Sequence, residues 1–207
     1  MLRHYILTRY NYGLYSDNPY NVTDPEVWME HRWPLFEVCA HSIESQINQN
    51  FSWIISVDPK TPKYWVDKIH NLTGATVITQ IPQLYMRDLE INTEWVATTR
   101  LDNDDYYFPT FTHEIQSNFA KRKEILDINY LALDLDRARF FTSGRWKPNS
   151  PFITLIEEAG DLDTVFEYAH SHVLENYRCR FVVEEEPLAV QVVHEENVSN
   201  KIRGQEV

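Results

Sequence analysis

The chain has 207 residues, enough for one sizeable hydrophobic core, so a single domain spanning 1–207 is expected. Hydrophobic residues make up 43% of the sequence and aromatic residues 14%, a composition that excludes an intrinsically disordered protein. The formal net charge is −12 and the sequence has no stripe of Lys and Arg, which argues against nucleic-acid binding. Any phosphate that this chain binds is therefore expected to come with a cation.

The only cysteines, Cys39 and Cys179, lie far apart and form no Cys-x-x-Cys motif, so neither a disulfide scaffold nor a thiolate zinc site is indicated. The residues from Met1 to Ile6 lead directly into a strand-like segment. No apolar stretch reaches the roughly 18 residues typical of a transmembrane helix. We therefore expect a cytoplasmic protein without a transmembrane segment, in the host cytoplasm if the chain is viral.

Apolar periodicity and turn residues predict alternating strands and helices in the first half of the chain. Strands are predicted at 4–8, 51–57 and 75–81, a short helix opens at Thr23, and Pro34 starts a second helix to Gln49, with a third at 61–72. Right-handed crossovers between such strands build a parallel, doubly wound half-sheet. Ligands of these sheets lie beyond the carboxyl ends of the strands.

The second half of the chain is predicted to contain both helices and strands. Its helices are expected at 109–123 and 162–177, and its strands at 128–141, as one or two strands, and at 188–194. No internal repeat, low-complexity tract or linker interrupts it. The whole chain therefore predicts an α/β fold.

An acidic run with Asp102, Asp104 and Asp105 directly follows the predicted strand at 95–100. Mg²⁺ and Mn²⁺ prefer carboxylate oxygens and are commonly shared between one or two carboxylates and a diphosphate. Three acids in four residues also require a positive partner, because their repulsion would otherwise raise a carboxylate pKa. The run therefore predicts a divalent-metal site; the alternative is a solvated acidic turn that caps the next helix.

Two other strand ends are expected to face the same crevice. Thr8 and Arg9 end the first strand and lead into a polar loop, while Asp58 follows the second strand. These residues would lie beside the acidic run, although Asp58 could instead only start a turn with Pro59.

Several motifs, in the same order along nearly the whole chain, resemble the bacterial and viral family described as "putative rhamnosyltransferases". They are Thr8-Arg9-x-Asn11, Trp28-x-x-x-Arg32 with Leu35-Phe36-Glu37, Phe51-x-Trp53 leading to Asp58 and Thr61-Pro62, the run from Thr99 to Asp105, Pro151 to Glu157, and Val192-Val193-His194 with Asn197 to Asn200. Glu195 departs from the family pattern, which favours a small residue after the histidine.

The resemblance implies a GT-A glycosyltransferase fold. That fold is a single domain with a Rossmann-like, mostly parallel central sheet flanked by helices, and a smaller antiparallel acceptor-side portion. Residues 1–105 would form the nucleotide-sugar-binding half and 106–207 the acceptor-binding half. The implied enzyme transfers a hexose or deoxyhexose from a UDP- or dTDP-sugar to a hydroxyl of a glycan or glycoconjugate acceptor, with Mn²⁺ or Mg²⁺ as cofactor.

Site residues follow from the resemblance. In GT-A enzymes the second acid of Asp-x-Asp ligates the metal, which makes Asp104 the primary ligand and Asp102 its companion. Asp105 is either a further ligand or a residue that orients one. His194 resembles the late histidine that completes the metal site, and its alternative is a surface position beside the following glutamates.

The donor-binding residues implied by the same resemblance line the strand ends and the terminal loop. They are Thr8, Arg9, Asn11, Asp58, Arg100, Asp102 and Lys201. Asp58 would accept a hydrogen bond from a pyrimidine N3–H. Lys201, with Arg203, could fold over the diphosphate and stabilise the leaving group.

An inverting transfer needs a general base near the acceptor hydroxyl. Glu157 is the candidate, ahead of Glu158, Asp134 and Asp136, although a structural salt bridge is an equal alternative for it. A retaining enzyme would need no such base.

Other function classes are less well supported. The chain has five glycines and neither a G-x-G-x-x-G nor a Walker A motif, which excludes dinucleotide oxidoreductases and P-loop kinases. A sugar-nucleotide pyrophosphorylase would need a Gly-rich loop near the first strand. The remaining alternative is a nucleotide-sugar or carbohydrate-binding module without turnover, with Tyr and Trp side chains as stacking surfaces.

Overall fold

Two β-sheets organise the structure, a computed structural model that describes residues 1–19, 22–142, 150–160, 162–168, 172–182, 186–194 and 205–207. The strands are β1 (Leu2–Arg9), β2 (Phe51–Ser56), β3 (Thr76–Ile78), β4 (Trp95–Arg100), β5 (Tyr106–Tyr107), β6 (Glu124–Ile128), β7 (Tyr130–Asp134), β8 (Arg139–Thr142), β9 (Thr154–Glu158), β10 (Cys179–Val182) and β11 (Ala189–Val193). The helices are α1 (Pro25–Glu44), α2 (Lys63–Thr73), α3 (Pro82–Asp88), α4 (Phe111–Ser117) and α5 (Val173–Asn176).

The larger sheet has seven strands in the order β10-β6-β9-β4-β1-β2-β3. Strand β1 lies between β4 and β2 and is parallel to both, and β3 is parallel to β2. Strand β9 is antiparallel to its two neighbours, β4 and β6. The predicted α/β fold with a mostly parallel central sheet is confirmed.

The core covers both faces of this sheet because successive side chains of a strand point to opposite faces. Ile6 belongs to one hydrophobic cluster, whereas its neighbours Tyr5 and Leu7 belong to the other. Central strands buried in this way are rich in apolar and β-branched residues, which is why the sequence predicts strands at β1, β2 and β4.

Helix α1 runs without interruption through Pro34, so the prediction of separate helices before and after that proline is wrong. The helix is capped by Asp24, whose carboxylate accepts from the backbone N–H groups of Glu26 and Val27, and Thr23 lies outside it. Pro34 is exposed, whereas Trp33 and Phe36 on either side of it are buried. Packing of these aromatic side chains offsets the missing hydrogen bond of the proline.

The segment predicted as a helix at 162–177 contains only the short helix α5 among its described residues. Residues 162–166 instead pack against the larger sheet: the backbone N–H of Val165 donates to Thr98 Oγ1, and those of Asp163 and Thr164 donate to Glu157. Thr164 has a φ of 66°, which is incompatible with an α-helix. The helix predicted at 109–123 is also shorter, because the buried strand β6 begins at Glu124.

The smaller sheet has four strands in the order β5-β11-β7-β8. Its pairing is mixed, because β11 is parallel to β7 and antiparallel to β5. Strands that follow residue 105 thus contribute to both sheets, and β6, β9 and β10 complete the larger one. None of the described helices is both long and apolar enough to cross a membrane.

Candidate active site at the strand ends

The carboxyl ends of β1, β2 and β4 meet at one edge of the larger sheet, because these strands are parallel neighbours. The acidic run extends from β4 at this edge, and its backbone is fixed on both sides. The N–H of Leu101 donates to the Leu7 carbonyl (3.1 Å), and Asn103 Nδ2 donates to the Tyr10 carbonyl (2.6 Å). The carboxylates are therefore presented by a well-anchored turn.

Asp104 lies in a compact buried cluster with Arg32 and His194. The Arg32 Nη1 atom lies 2.6 Å from Asp104 Oδ2 and 2.5 Å from His194 Nε2, and Nε2 lies 3.0 Å from the same carboxylate oxygen. All three side chains are more than nine-tenths buried. Three elements distant in sequence, namely α1, the turn after β4 and the end of β11, thus meet at one point.

The ionisation of Asp104 is set by opposing effects. Burial disfavours the charged carboxylate, but the contact with His194 and the positive charge of Arg32 outweigh it, so that the pKa of Asp104 lies below its usual value. Asp104 is therefore an anion in the folded protein. The cation that an acidic run requires is supplied here, at least in part, by an arginine of α1.

Asp102 takes a different partner. Its carboxylate accepts two hydrogen bonds from Arg100, at 3.1 Å from Nε and 2.8 Å from Nη2. The Phe166 ring packs against two guanidinium groups, with Arg9 Cζ 4.1 Å and Arg100 Cζ 5.6 Å from its centroid. Arg9, Arg100 and Asp102 thus form a charged rim around one aromatic ring, next to the buried Asp104 cluster.

Asp105 connects the acidic run to the smaller sheet. Its Oδ1 atom accepts from the backbone N–H of Val192 (2.8 Å), two residues before His194. Burial, together with the nearby charges of Asp104 and Asp102, raises the pKa of Asp105 well above its usual value. Strand β5, which follows the run, also pairs with β11. These links explain why His194 reaches Asp104.

Three of the expected donor-binding residues make buried contacts within the protein. Thr8 Oγ1 accepts from Trp53 Nε1 (3.0 Å), and Asn11 Nδ2 donates to Thr61 Oγ1 (3.0 Å). The Asp58 carboxylate accepts hydrogen bonds from the backbone of residues 15, 16 and 60 and from the Ser16 hydroxyl. Both Asp58 oxygens hold the loop after β1, so the geometry favours this structural role over pyrimidine recognition.

Glu157 is not part of the cluster. It lies on β9 opposite Val96, and β9 runs antiparallel to β4, which places it toward the amino end of β4. Val96 precedes Arg100 by four residues, a separation of roughly 13 Å along a strand. The two carboxylate oxygens of Glu157 accept hydrogen bonds from the backbone N–H groups of Asp163 and Thr164, at 2.8 and 2.9 Å. The geometry therefore does not support Glu157 as general base and indicates the structural alternative.

The other expected residues are placed as follows. Glu158 lies one residue farther from the site than Glu157, opposite Trp95. Asp134 ends β7 opposite Val193, next to the strand that carries His194, and Asp136 follows in the turn to β8. Lys201 and Arg203 lie outside the described residues.

Sequence reasoning missed the roles of Arg32 and Phe166. In the sequence, Arg32 stands out only as part of a motif with Trp28, and in the structure the Trp28 ring centroid lies 5.2 Å from Arg32 Cζ. The i, i+4 spacing of Trp28 and Arg32 puts both on one face of α1, and that face is apolar. An arginine on a buried helical face is a detectable signal for a charge partner, although it does not say which acid provides it.

Two side chains of the Asp104 cluster offer ligand atoms for a divalent ion. Within the ranges that the structure describes, no three His, Cys, Asp or Glu side chains converge as a ready-made metal site. Asp104 and His194, however, offer an oxygen and a nitrogen 3.0 Å apart. This pair suits Mn²⁺ if oxygens of a diphosphate and water supply the other ligands, as is usual for ions of this class.

A separate cleft of about 680 Å³ lies at the opposite edge of the sheet, at the amino ends of β2 and β3. Its lining includes Phe51, Thr76 and the last turns of α1 and α2. The charged residues described above are absent from this lining, so the candidate site is the Asp104 cluster and its rim.

Comparisons with known proteins agree with this architecture. The model of the family described as "Putative rhamnosyl transferase" matches residues 21–206. No curated protein matches the chain. The structure of S. aureus TarS 1–349 in complex with UDP-GlcNAc is similar, with a TM-score of 0.51 and 13% identity over 94% of this chain and 59% of that chain. A second S. aureus TarS structure has the same TM-score and identity over 93% of this chain and 37% of that one.

The chain thus spans about three fifths or less of the TarS structures that it resembles. At 13% identity the likeness establishes the fold, which is similar to that of GT-A glycosyltransferases such as TarS. The family match extends over nearly the whole chain. The protein therefore belongs to the family described as "Putative rhamnosyl transferase".

Proposed function

We propose that the protein is a metal-dependent glycosyltransferase that moves a hexose or deoxyhexose from a UDP- or dTDP-sugar to a hydroxyl of a glycan or other acceptor. The observation that carries this proposal is the contact between Asp104 and His194 at the carboxyl edge of the larger sheet. In open α/β sheets this edge is where ligands bind. The UDP-GlcNAc complex of TarS, a protein with a similar fold, supports a nucleotide-sugar as donor.

In this proposal Asp104 and His194 hold Mn²⁺ or Mg²⁺, with Asp102 beside them. The ion, when bound, neutralises charge that develops on the leaving diphosphate. Arg9 and Arg100 would attract the diphosphate to the rim, and Phe166 would hold their guanidinium groups in place. Lys201 would add a further positive charge from the terminal segment.

The two cysteines support a cytoplasmic location as part of the same proposal. Cys39 and Cys179 are both free thiols, and Cys39 is buried. Thiols of this kind persist where the compartment is reducing.

The acceptor binds, in this proposal, on the side formed by residues 106–207.

The proposal is tested by incubating the purified protein with a panel of UDP- and dTDP-sugars, with Mn²⁺ or with EDTA, and measuring nucleotide release. We expect release that depends on Mn²⁺ and falls by about a hundredfold or more in Asp104→Asn, the size of loss typical when one charge-stabilising group is removed. The matched control is Asp67→Asn, because Asp67 lies exposed on α2, where it pairs with Lys63. Release that is unaffected by EDTA would overturn the metal dependence. A donor that binds without being cleaved or transferred would instead support the binding-module alternative.

A further inference from the structure

Arg32 stands in the Asp104 cluster at a position with the geometry of a bound cation. Its Nη1 atom lies 2.6 Å from a carboxylate oxygen and 2.5 Å from an imidazole nitrogen. A guanidinium nitrogen carries only hydrogens, so it can donate but cannot accept. The Nη1–H group of Arg32 donates to Asp104 Oδ2, and the same nitrogen lies against His194 Nε2, so that Arg32 fills the space between these two atoms.

Asp104 Oδ2 and His194 Nε2 are also the two atoms that would ligate Mn²⁺ in the proposed site. Metal ligands lie about 2.0–2.2 Å from such ions, slightly closer than the observed contacts to Arg32. The guanidinium and the ion therefore cannot occupy the space between these two atoms at the same time. The positive charge of Arg32 also repels a second cation. This repulsion is strong because the cluster is buried and weakly screened.

The hydrogen-bonding capacity of the Arg32 guanidinium is also incompletely used. Its Nε atom is buried and has no hydrogen-bond partner among the described residues, and its guanidinium packs on Trp28. A buried donor without an acceptor costs free energy that a newly arriving acceptor would recover. A diphosphate presents several acceptor oxygens of the kind that guanidinium groups bind well.

From these observations we propose that Arg32 is a positioning residue that holds the Asp104–His194 pair in the absence of donor and is displaced from it when the metal and the nucleotide diphosphate bind together. This inference rests on the proposed function, because it assumes a nucleotide-sugar and a divalent ion at this site. It makes binding of the ion and binding of the nucleotide mutually dependent, since each favours the state in which Arg32 has left the pair.

Mn²⁺ binding by the full chain, measured by electron paramagnetic resonance with and without UDP, tests this role independently of turnover. The native protein is expected to bind Mn²⁺ weakly alone and much more tightly with UDP. Arg32→Gln should bind Mn²⁺ alone about tenfold more tightly or better, because the competing charge is gone, and should show a smaller effect of UDP. Arg32→Lys retains a positive charge and should resemble the native protein. Arg87→Gln, which alters an exposed pair with Glu167, should leave Mn²⁺ binding unchanged.

Circular dichroism and urea unfolding of each variant establish that it folds, and Arg32→Met provides a second neutral variant if Arg32→Gln does not. Equal or weaker Mn²⁺ binding by a folded neutral variant would overturn the role of Arg32 and leave the proposed function intact. Equal Mn²⁺ affinity of the native protein with and without UDP would do the same. Failure of every protein to bind Mn²⁺, even with UDP, would overturn both this inference and the metal dependence of the proposed function.

Discussion

Single residues at the strand ends divide into those that hold the protein together and those that can meet a ligand. Asp58 is the clearest example of the first group. It occupies the end of β2, where a ligand-binding acid was expected, yet it is fully buried and its two oxygens accept hydrogen bonds from the loop after β1 and from the Lys60 N–H. A residue in a typical ligand position thus has a structural reason to be there.

Replacement of Asp58 by Ala is expected to lower the free energy of unfolding by about 3 kcal/mol, because the backbone N–H groups of residues 15, 16 and 60 all lose their buried acceptor. Asp58→Asn retains one acceptor oxygen and should have a smaller effect. Urea denaturation of the three proteins measures this difference. An unchanged free energy of unfolding together with weakened UDP binding in Asp58→Ala would contradict the structural role and favour nucleobase recognition.

His4 is a second residue whose chemistry is explained by its place in the core. Its Nε2 atom lies 2.7 Å from Thr99 Oγ1, and burial lowers the pKa of His4 to about 3. The unfolded chain, with an ordinary histidine pKa of about 6.5, binds the proton more readily than the folded one. Protonation therefore favours unfolding, and the stability contributed by neutral His4 is complete above about pH 7 and lost progressively as the pH falls below about 6.5.

Between pH 7.5 and 5.0, the native protein is expected to lose about 2 kcal/mol more of its unfolding free energy than His4→Gln, because the glutamine side chain at position 4 does not titrate. Urea unfolding gives the unfolding free energy of both proteins at the two pH values. The contributions of titratable groups that both proteins share cancel in the comparison. Parallel pH profiles would show that His4 is not held neutral by the fold.

At the scale of elements, strand β9 and the segment 162–166 form one unit through Glu157. Burial raises the pKa of Glu157 to about 7, although hydrogen bonds from the backbone N–H groups of Asp163 and Thr164 and the charge of Lys123 oppose the shift. The folded pKa lies above that of the unfolded chain, so ionisation of Glu157 favours unfolding. Its contribution is therefore most favourable below about pH 4.5 and declines as the pH rises toward 7.

Replacement of Glu157 by Gln is expected to remove this decline, so that the stability of the variant relative to the native protein increases between pH 4.5 and 7. Transfer activity should change by less than about twofold, whereas loss of a general base typically costs a hundredfold or more. Urea unfolding across this pH range and kcat at saturating donor measure the two effects. A hundredfold loss of kcat in a folded variant would restore the assignment of Glu157 as the base.

The connection between β5 and β11 is the element-scale feature on which the candidate site depends. Residues 189 and 190 pair with 107 and 106, and Asp105 adds a further hydrogen bond to β11. This pairing brings His194 to Asp104, which lies 90 residues earlier in the sequence. The smaller sheet therefore has a role in building the site besides any role in acceptor binding.

For the molecule as a whole, the larger sheet cannot be completed by the first half of the chain. Strand β9 covers the edge of β4, and the fully buried Val96 and Ala97 lie opposite Glu157 and Ile156. Removal of residues 106–207 would expose this edge together with both hydrophobic clusters.

A fragment containing residues 1–105 is accordingly expected to lack a cooperative unfolding transition, and the full chain to show a single one. Near-ultraviolet circular dichroism during urea titration distinguishes the two. A sigmoidal transition of the fragment would indicate that residues 1–105 fold on their own, as an independent unit within the predicted single domain.

The sequence by itself determined the α/β class, the strands at the centre of the larger sheet and the position of the acidic run at a strand end. Long apolar runs and turn residues encode these features locally, and parallel neighbours bring strand ends to one edge whatever the details of packing. The continuity of α1 through Pro34 and the irregular path of 162–166 were not predictable, because tertiary packing overrides local helix signals there.

Only the tertiary structure decided which charges meet. The sequence indicated that the acidic run needed a positive partner, but the partners are Arg32, more than 70 residues upstream, and Arg100, its near neighbour. Likewise, the sequence predicts ligand-binding or catalytic roles for Asp58 and Glu157, whereas in the structure their oxygens accept backbone hydrogen bonds. The physical reason is that hydrogen-bond partners and burial depend on contacts between distant segments, whereas sequence patterns report chiefly the periodicity of each segment by itself.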